Sequence, residues 1–164
     1  MRDPEQLVLI FGSNMEDRAG NIRQAISLAS AAGEEVQRSS LYESDPWGFS
    51  ADVPFYNQVV VYRTALAPTA VLQLCARVEQ QMGRQRDPST RYASRVIDVD
   101  ILFHGSRVAN LPDLIIPHPR LAARRFVLAP LAELLPSFIH PTLNKSISAL
   151  LQECPDAGQV RLVP

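Results

Sequence analysis

Three observations predict an α+β fold. Short apolar or β-branched runs alternate with two stretches whose apolar residues recur at helical spacing. Their order along the chain is strand, helix, strand, strand, helix, strand. Glycine or proline stands at the ends of the helical stretches, where such residues stop or start a helix. That order is the split βαβ arrangement of ferredoxin-like domains. The scaffold hosts many unrelated chemistries, so function must be read from particular residues.

Residues 7–11, Leu-Val-Leu-Ile-Phe, form an apolar run that ends at Gly12, as suits a buried strand. Residues 14–32 bring Ile22, Ala25, Ile26, Leu28 and Ala29 into helical spacing, and Gly33 supplies a stop. Residues 34–43 can return as a second strand, and 44–54 form a loop rich in turn formers. The run 58–66 is β-prone through Val59, Val60, Val61, Tyr62 and Thr64. Pro68 opens a second helix at a favourable position. Val71, Leu72, Leu74, Cys75, Val78 and Met82 give that helix its buried face, and Gly83 can end it. A polar stretch over 84–94 leads into a strand over 96–103. Two short helices are expected near 127–135 and 146–152.

A chain of 164 residues is expected to make one domain, 1–164, with a sizeable core. Its net charge of −1 offers no general attraction to nucleic acid or an anionic membrane. No apolar stretch reaches transmembrane length, and the first one is too short for a signal segment. The two cysteines, Cys75 and Cys154, make neither a disulfide framework nor a metal site. A cytoplasmic monomer is the expectation.

The sharpest local signal is the run Arg95-Val96-Ile97-Asp98-Val99-Asp100-Ile101-Leu102-Phe103. Strand alternation sends Ile97, Val99, Ile101 and Phe103 one way and both aspartates the other. Adjacent carboxylates repel, and a divalent cation between them removes the conflict. On spacing alone the pair fits a solvated strand face equally well. Arg84, Arg86, Arg91 and Arg95 lie just upstream, and guanidinium groups bind phosphate oxygens bidentately. Carboxylates for metal beside arginines for phosphate are what phosphoryl-type transfer needs. The chain lacks GxxxxGK[ST] and GxGxxG, so a P-loop or dinucleotide fold is unsupported. Gly12-Ser13-Asn14 could contact an anion at a helix start, or be a plain turn. Trp47, Phe49, Phe55 and Tyr56 offer stacking faces to a flat ligand, and Asn57 offers both a donor and an acceptor. They could as well pack on the core. His118, between Pro117 and Pro119, is either a phosphate or proton-transfer group or a structural hydrogen-bonder.

Taken together in order, Gly12-Ser13-Asn14, Pro46-Trp47-Gly48, Phe55-Tyr56-Asn57-Gln58, Glu79 to Arg86, Arg91 to Arg95, Ile97 to Leu102, Pro117 to Leu121 and Arg124 to Leu128 form a specific pattern. The chain resembles the 6-hydroxymethyl-7,8-dihydropterin pyrophosphokinase family over nearly its whole length. The resemblance implies a three-layer α/β/α domain with an antiparallel sheet and transfer of pyrophosphate from ATP to the pterin hydroxymethyl group, releasing AMP. It implies that Asp98 and Asp100 bind two Mg²⁺ ions. It places Arg84, Arg95, His118 and Arg124 at the ATP phosphates, with Arg86 on a mobile loop and Glu79 and Ile101 at the nucleotide site, and makes Arg84, Arg86, Arg95, Asp98 and Asp100 the catalytic residues. Phe55 and Phe126 would sandwich the pterin, Asn57 would read its edge, and backbone near Pro46 and Trp47 would assist. Family members typically read Arg-Trp-Gly-Pro-Arg where this chain has Arg91-Tyr92-Ala93-Ser94-Arg95. The change alters which backbone angles are easy in that loop.

Two other classes fit parts of the pattern. A glycosyl- or nucleotidyl-transferase could use Asp98-Val99-Asp100 as a metal-diphosphate motif, but AMP would then not be the product. A non-catalytic ferredoxin-like module would bind a small ligand without turnover.

Overall fold

A computed structural model of the chain describes residues 3–46, 53–83 and 95–164. One six-stranded sheet carries the fold, with all its strand pairs antiparallel. Its central strand β1 (Glu5–Ser13) lies between β5 (Asp98–His104) and β4 (Phe55–Thr64). The far edge of β4 is shared by two short strands, β2 (Glu34–Arg38) and β3 (Tyr42–Ser44). Strand β8 (Val160–Leu162) extends the sheet beyond β3. A separate hairpin, β6 (Ala109–Leu111) and β7 (Leu114–Ile116), follows β5.

Helices cover both faces, as the three-layer expectation requires. Helices α1 (Arg18–Leu28) and α2 (Pro68–Gln81) pack on one face through Ile22, Ala25, Ile26, Val71, Leu74, Cys75 and Val78. Helices α3 (Arg125–Leu134) and α4 (Ile147–Gln152) pack on the other through Val127, Leu128, Leu131, Ile147 and Leu150. Strand β1 supplies both cores from alternate positions. Leu7, Leu9 and Phe11 enter the first, and Val8 and Ile10 the second. All five are buried, which explains why the run shows no alternation in sequence.

The structure adjusts several boundaries. Helix α1 starts at Arg18, because Asp17 caps it by accepting the Gly20 N–H at 3.0 Å. The expected strand over 34–43 is broken by Ser39, whose Oγ accepts the Val59 N–H at 2.9 Å. Strand β5 carries a bulge: Val8 pairs with Phe103 and Leu9 with Ile101, so Leu102 is the extra residue. Phe103 is thereby turned away from Ile97, Val99 and Ile101 and joins Leu102 in the α3–α4 core. Gly83 stands just past α2 at a φ of 83°, as a glycine stop requires, whereas α1 ends at Leu28 and Gly33 follows a separate short turn, Ser30–Ala32.

Candidate active site

The site is built around Gly12. Across the sheet Gly12 pairs with Asp98 of β5 and with Asn57 of β4. Two residues back, Ile10 pairs with Asp100 and with Val59. Ile10 and Val59 lie in the α3–α4 core, so Asp98, Asp100, Gly12, Asn57 and Phe55 share that face by alternation. Gly12 is a floor without a side chain. A Cβ there would stand 3.0 Å from Asn57 Oδ1 and 3.8 Å from Phe55 Cδ1. Asn57 is fixed from its other side, with Nδ2 donating to Ser44 Oγ at 2.8 Å, and both residues are buried. Half-buried Phe126 sits in the first turn of α3, with the Arg124 guanidinium 5.7 Å from its ring centre.

Charge gathers at the β5 side of this floor. Arg95 Nη1 lies 3.2 Å from Asp98 Oδ2. Burial, and then the charge of Asp98 beside it, push the Asp100 carboxyl well above the usual carboxylate range, with a smaller push from Glu79. Burial lowers the Arg124 guanidinium pKa, and Asp100 opposes that shift. His118 is anchored by its backbone N–H on Leu102 O at 3.0 Å. Its Nδ1 accepts the Arg120 N–H at 3.2 Å, which leaves Nε2 to carry the proton of the neutral ring. Burial, reinforced by Arg124, lowers the His118 pKa to about 4, so the ring is neutral at pH 7. Beside it a cavity of about 330 Å³ is lined by Ile115, Ile116, Pro117, Pro119 and Leu143, among others.

Buried Glu79 reaches from α2 to accept the Val99 N–H at 2.9 Å, fixing the strand between the two aspartates. Ile101, expected at the nucleotide site, turns its side chain into the α1–α2 core instead, because it alternates with Asp100. Pro46 is half-buried, two residues past the end of β3. Arg84, Arg86 and Trp47, together with Phe49, Arg91 and Tyr92, lie outside the described residues.

The helix-start reading of Gly12-Ser13-Asn14 does not hold. Gly12 and Ser13 end β1, and α1 begins only at Arg18. Asn14 instead ties strand ends together: its N–H donates to Arg95 O at 3.1 Å and its Oδ1 accepts the Arg95 N–H at 2.7 Å. Its Nδ2 donates to Val53 O at 3.3 Å. Sequence reasoning also missed Ser44 and the role of Gly12. A glycine closing a run of bulky strand residues signals close approach of another group, whereas nothing about Ser44 marks it in sequence.

Comparison with known proteins identifies the family and the fold. Residues 8–136 match the family profile described as 7,8-dihydro-6-hydroxymethylpterin-pyrophosphokinase (HPPK). The Bacillus subtilis 2-amino-4-hydroxy-6-hydroxymethyldihydropteridine pyrophosphokinase is 40% identical over 128 residues, covering 77% of this chain and 75% of the relative. Folic acid synthesis protein FOL1 of Dictyostelium discoideum is 34% identical over 156 residues, 95% of this chain. The chain spans only 23% of that relative's length and 21% of its Pneumocystis carinii counterpart. Among solved structures, wild-type Plasmodium falciparum HPPK-DHPS with pteroate superposes with a TM-score of 0.75 at 16% identity. That match covers 93% of this chain and 45% of the other, and at such identity it speaks to the fold. The chain belongs to the 7,8-dihydro-6-hydroxymethylpterin-pyrophosphokinase family.

Proposed function

We propose that the chain transfers the pyrophosphoryl group of ATP to the hydroxymethyl oxygen of 6-hydroxymethyl-7,8-dihydropterin, releasing AMP, as a step toward folate. One observation carries the reading. A carboxylate pair adjoins a glycine floor overlooked by Phe55 and Asn57 on one sheet face, with Arg95, Arg124 and His118 set around the carboxylates by flanking loops. Charged chemistry and a place for a flat ring therefore stand side by side.

The pterin lies over Gly12 between Phe55 and Phe126, with Asn57 on its polar edge and main chain near Pro46 and Trp47 beside it. Ring stacking and a fixed amide orient the hydroxymethyl group toward the charged side. Arg84, Arg86, Arg95 and Arg124 bind phosphate oxygens, and the neutral His118 ring donates from Nε2. A nucleotide contact at Ile101 runs through its main chain, and Glu79 acts by fixing β5. The hydroxymethyl oxygen attacks the β-phosphorus, the bond from that phosphorus to the α-phosphate oxygen breaks, and the hydroxyl proton is lost. The arginines stabilise charge on the transferring group as it moves.

The donor set fits Mg²⁺. Two hard carboxylates whose burial and mutual repulsion raise a pKa are relieved by a cation between them. Among the described residues no group of three or more His, Cys, Asp or Glu could hold a metal alone. Asp98 and Asp100 would hold two ions only together with nucleotide oxygens and water, the habit of Mg²⁺. When bound, such ions supply charge neutralisation at the phosphates.

Among the described residues no helix is long and apolar enough to cross a membrane. We read residues 1–164 as one domain acting as a cytoplasmic monomer on small molecules. Two free cysteines fit a reducing compartment. The test is a product assay with ATP, Mg²⁺ and the dihydropterin. Pterin-dependent AMP, formed one for one with a doubly phosphorylated pterin, is expected; ADP, or no turnover, would overturn the proposal.

A further inference from the structure

Residues 154–163 lie beyond the stretch that matches the family profile, yet they bond both to the start of α3, beside Phe126, and to β3, beside Asn57. We take these two segments as the walls of the cleft over Gly12. Asp156 serves the α3 wall. Its Oδ2 accepts the Arg125 N–H at 3.1 Å, and its Oδ1 accepts the Gly158 N–H at 2.8 Å. Arg125 returns the contact, with Nε donating to Asp156 O at 3.0 Å and Nη2 to Cys154 O at 3.4 Å. Arg125 opens α3 immediately before Phe126.

The same segment then crosses to the opposite wall. Strand β8 pairs Arg161 with Glu43 and Val160 with Ser44, whose hydroxyl holds Asn57. The Val163 N–H donates to Leu41 O at 3.0 Å. Arg161 grips Glu43 Oε1 from Nη2 at 2.9 Å and from Nε at 3.2 Å, and Nη2 lies 3.7 Å from Asp45 Oδ1. The other oxygen of Glu43 accepts from Arg18 Nη1 at 3.1 Å, and that same Nη1 donates to Pro54 O at 2.9 Å. Pro54 precedes Phe55. Two arginines thus meet on one carboxylate, linking β8 through Glu43 to the residue before the first aromatic of the cleft.

We propose that residues 154–163 form a staple between α3 and β3, with Asp156 and Arg161 as positioning residues that hold the two pterin-facing walls at the separation a flat ring needs. The inference rests on the pterin reading above. Its alternative is a tail that merely adds stability. Partly exposed pairs such as Arg161–Glu43, at 39% and 26% side-chain exposure, contribute little to stability. A stabilising tail therefore predicts almost no effect on ligand binding, whereas a staple predicts one greatest for the pterin.

Asp156→Ala and Arg161→Ala are compared with the parent chain for the KM of pterin and of ATP, melting temperature and calorimetric binding of 6-hydroxymethylpterin. Each is expected to weaken pterin binding and raise its KM by about tenfold, the loss of roughly one charge-assisted hydrogen bond. For Arg161→Ala the ATP KM stays within about twofold, since Arg161 is bonded to Glu43 and not to an ATP-binding group. For Asp156→Ala, whose partner Arg125 directly follows Arg124, the pterin KM rises more than the ATP KM. Asp156→Asn keeps an acceptor for Arg125 and recovers most of the effect. Lys145→Ala, which removes an exposed pair with Glu153, changes neither constant. A pterin KM that does not move overturns the staple. So does an equal rise in both KM values in step with lost stability. If the parent chain binds pterin without turnover and the variants weaken that binding, the staple stands and the transferase reading falls. If the parent binds no pterin, both fall.

Discussion

Gly12→Ala separates a floor from an ordinary strand residue. The backbone at Gly12 is not in the left-handed region, so alanine is conformationally acceptable there. Its methyl group would meet Asn57 Oδ1 at 3.0 Å, a few tenths of an ångström too close. Asn57 cannot simply retreat, because its amide is held by Ser44 at 2.8 Å. Overpacking of this kind costs about 1–3 kcal/mol. Restricting the unfolded chain returns about 0.4–1 kcal/mol. The net loss, about 0–2.6 kcal/mol, lowers the melting temperature of a chain this size by at most about 10 °C. The effect on the ligand is larger. A methyl group on the floor lifts a ring by about 1 Å, and a misplacement of that size can cost about a hundredfold in turnover. Calorimetry with 6-hydroxymethylpterin, steady-state kinetics and thermal melts on one preparation read all three quantities. Pterin affinity within twofold of the parent in a folded variant would refute the floor. A melting temperature lowered by much more than about 10 °C would show that Gly12 matters chiefly for packing.

Further outcomes follow from the same geometry. Glu79→Ala leaves the Val99 N–H without its carboxylate in a buried place. It should lose about 1.5–3 kcal/mol in urea unfolding, while Glu79→Gln, which still offers an oxygen, should recover most of it. His140 accepts the Thr142 and Leu143 N–H groups on Nδ1 at 3.2 and 3.1 Å, and burial lowers its pKa below the ordinary value. A histidine whose folded pKa is depressed contributes stability above its unfolded pKa near 6.5 and loses it as pH falls further. Unfolding at pH 7 and pH 5 should show that loss in the parent, and a smaller one in His140→Asn, whose side-chain oxygen accepts without titrating; equal losses would exclude His140 as a source.

The parts of this account legible in sequence were those set by local pattern. Strand β1 could be read because burial on both faces leaves an unbroken apolar run, and α2 because Pro68 and Gly83 bracket its helical face. The aspartate pair was legible because strand alternation alone puts Asp98 and Asp100 on one side. What escaped depended on pairing between distant segments. The bulge at Leu102 turned Phe103 to the other core, and only the register with Val8 and Leu9 reveals it. The break at Ser39 and the short strands β6, β7 and β8 carry no periodicity of their own. Asn14 looked like a turn residue, and its partners at Arg95 and Val53 lie 81 and 39 residues away. Proposing Phe55 and Phe126 as an aromatic pair rests on the family resemblance, since loop aromatics more commonly pack on a core.

The most direct test of the central claim, that the Asp98–Asp100 face performs phosphoryl chemistry beside a separate pterin floor, is turnover and pterin binding of Asp100→Ala measured together. The account predicts that pterin-dependent AMP release falls by about a thousandfold, while 6-hydroxymethylpterin still binds to the folded variant. Near-full turnover by Asp100→Ala would contradict the account.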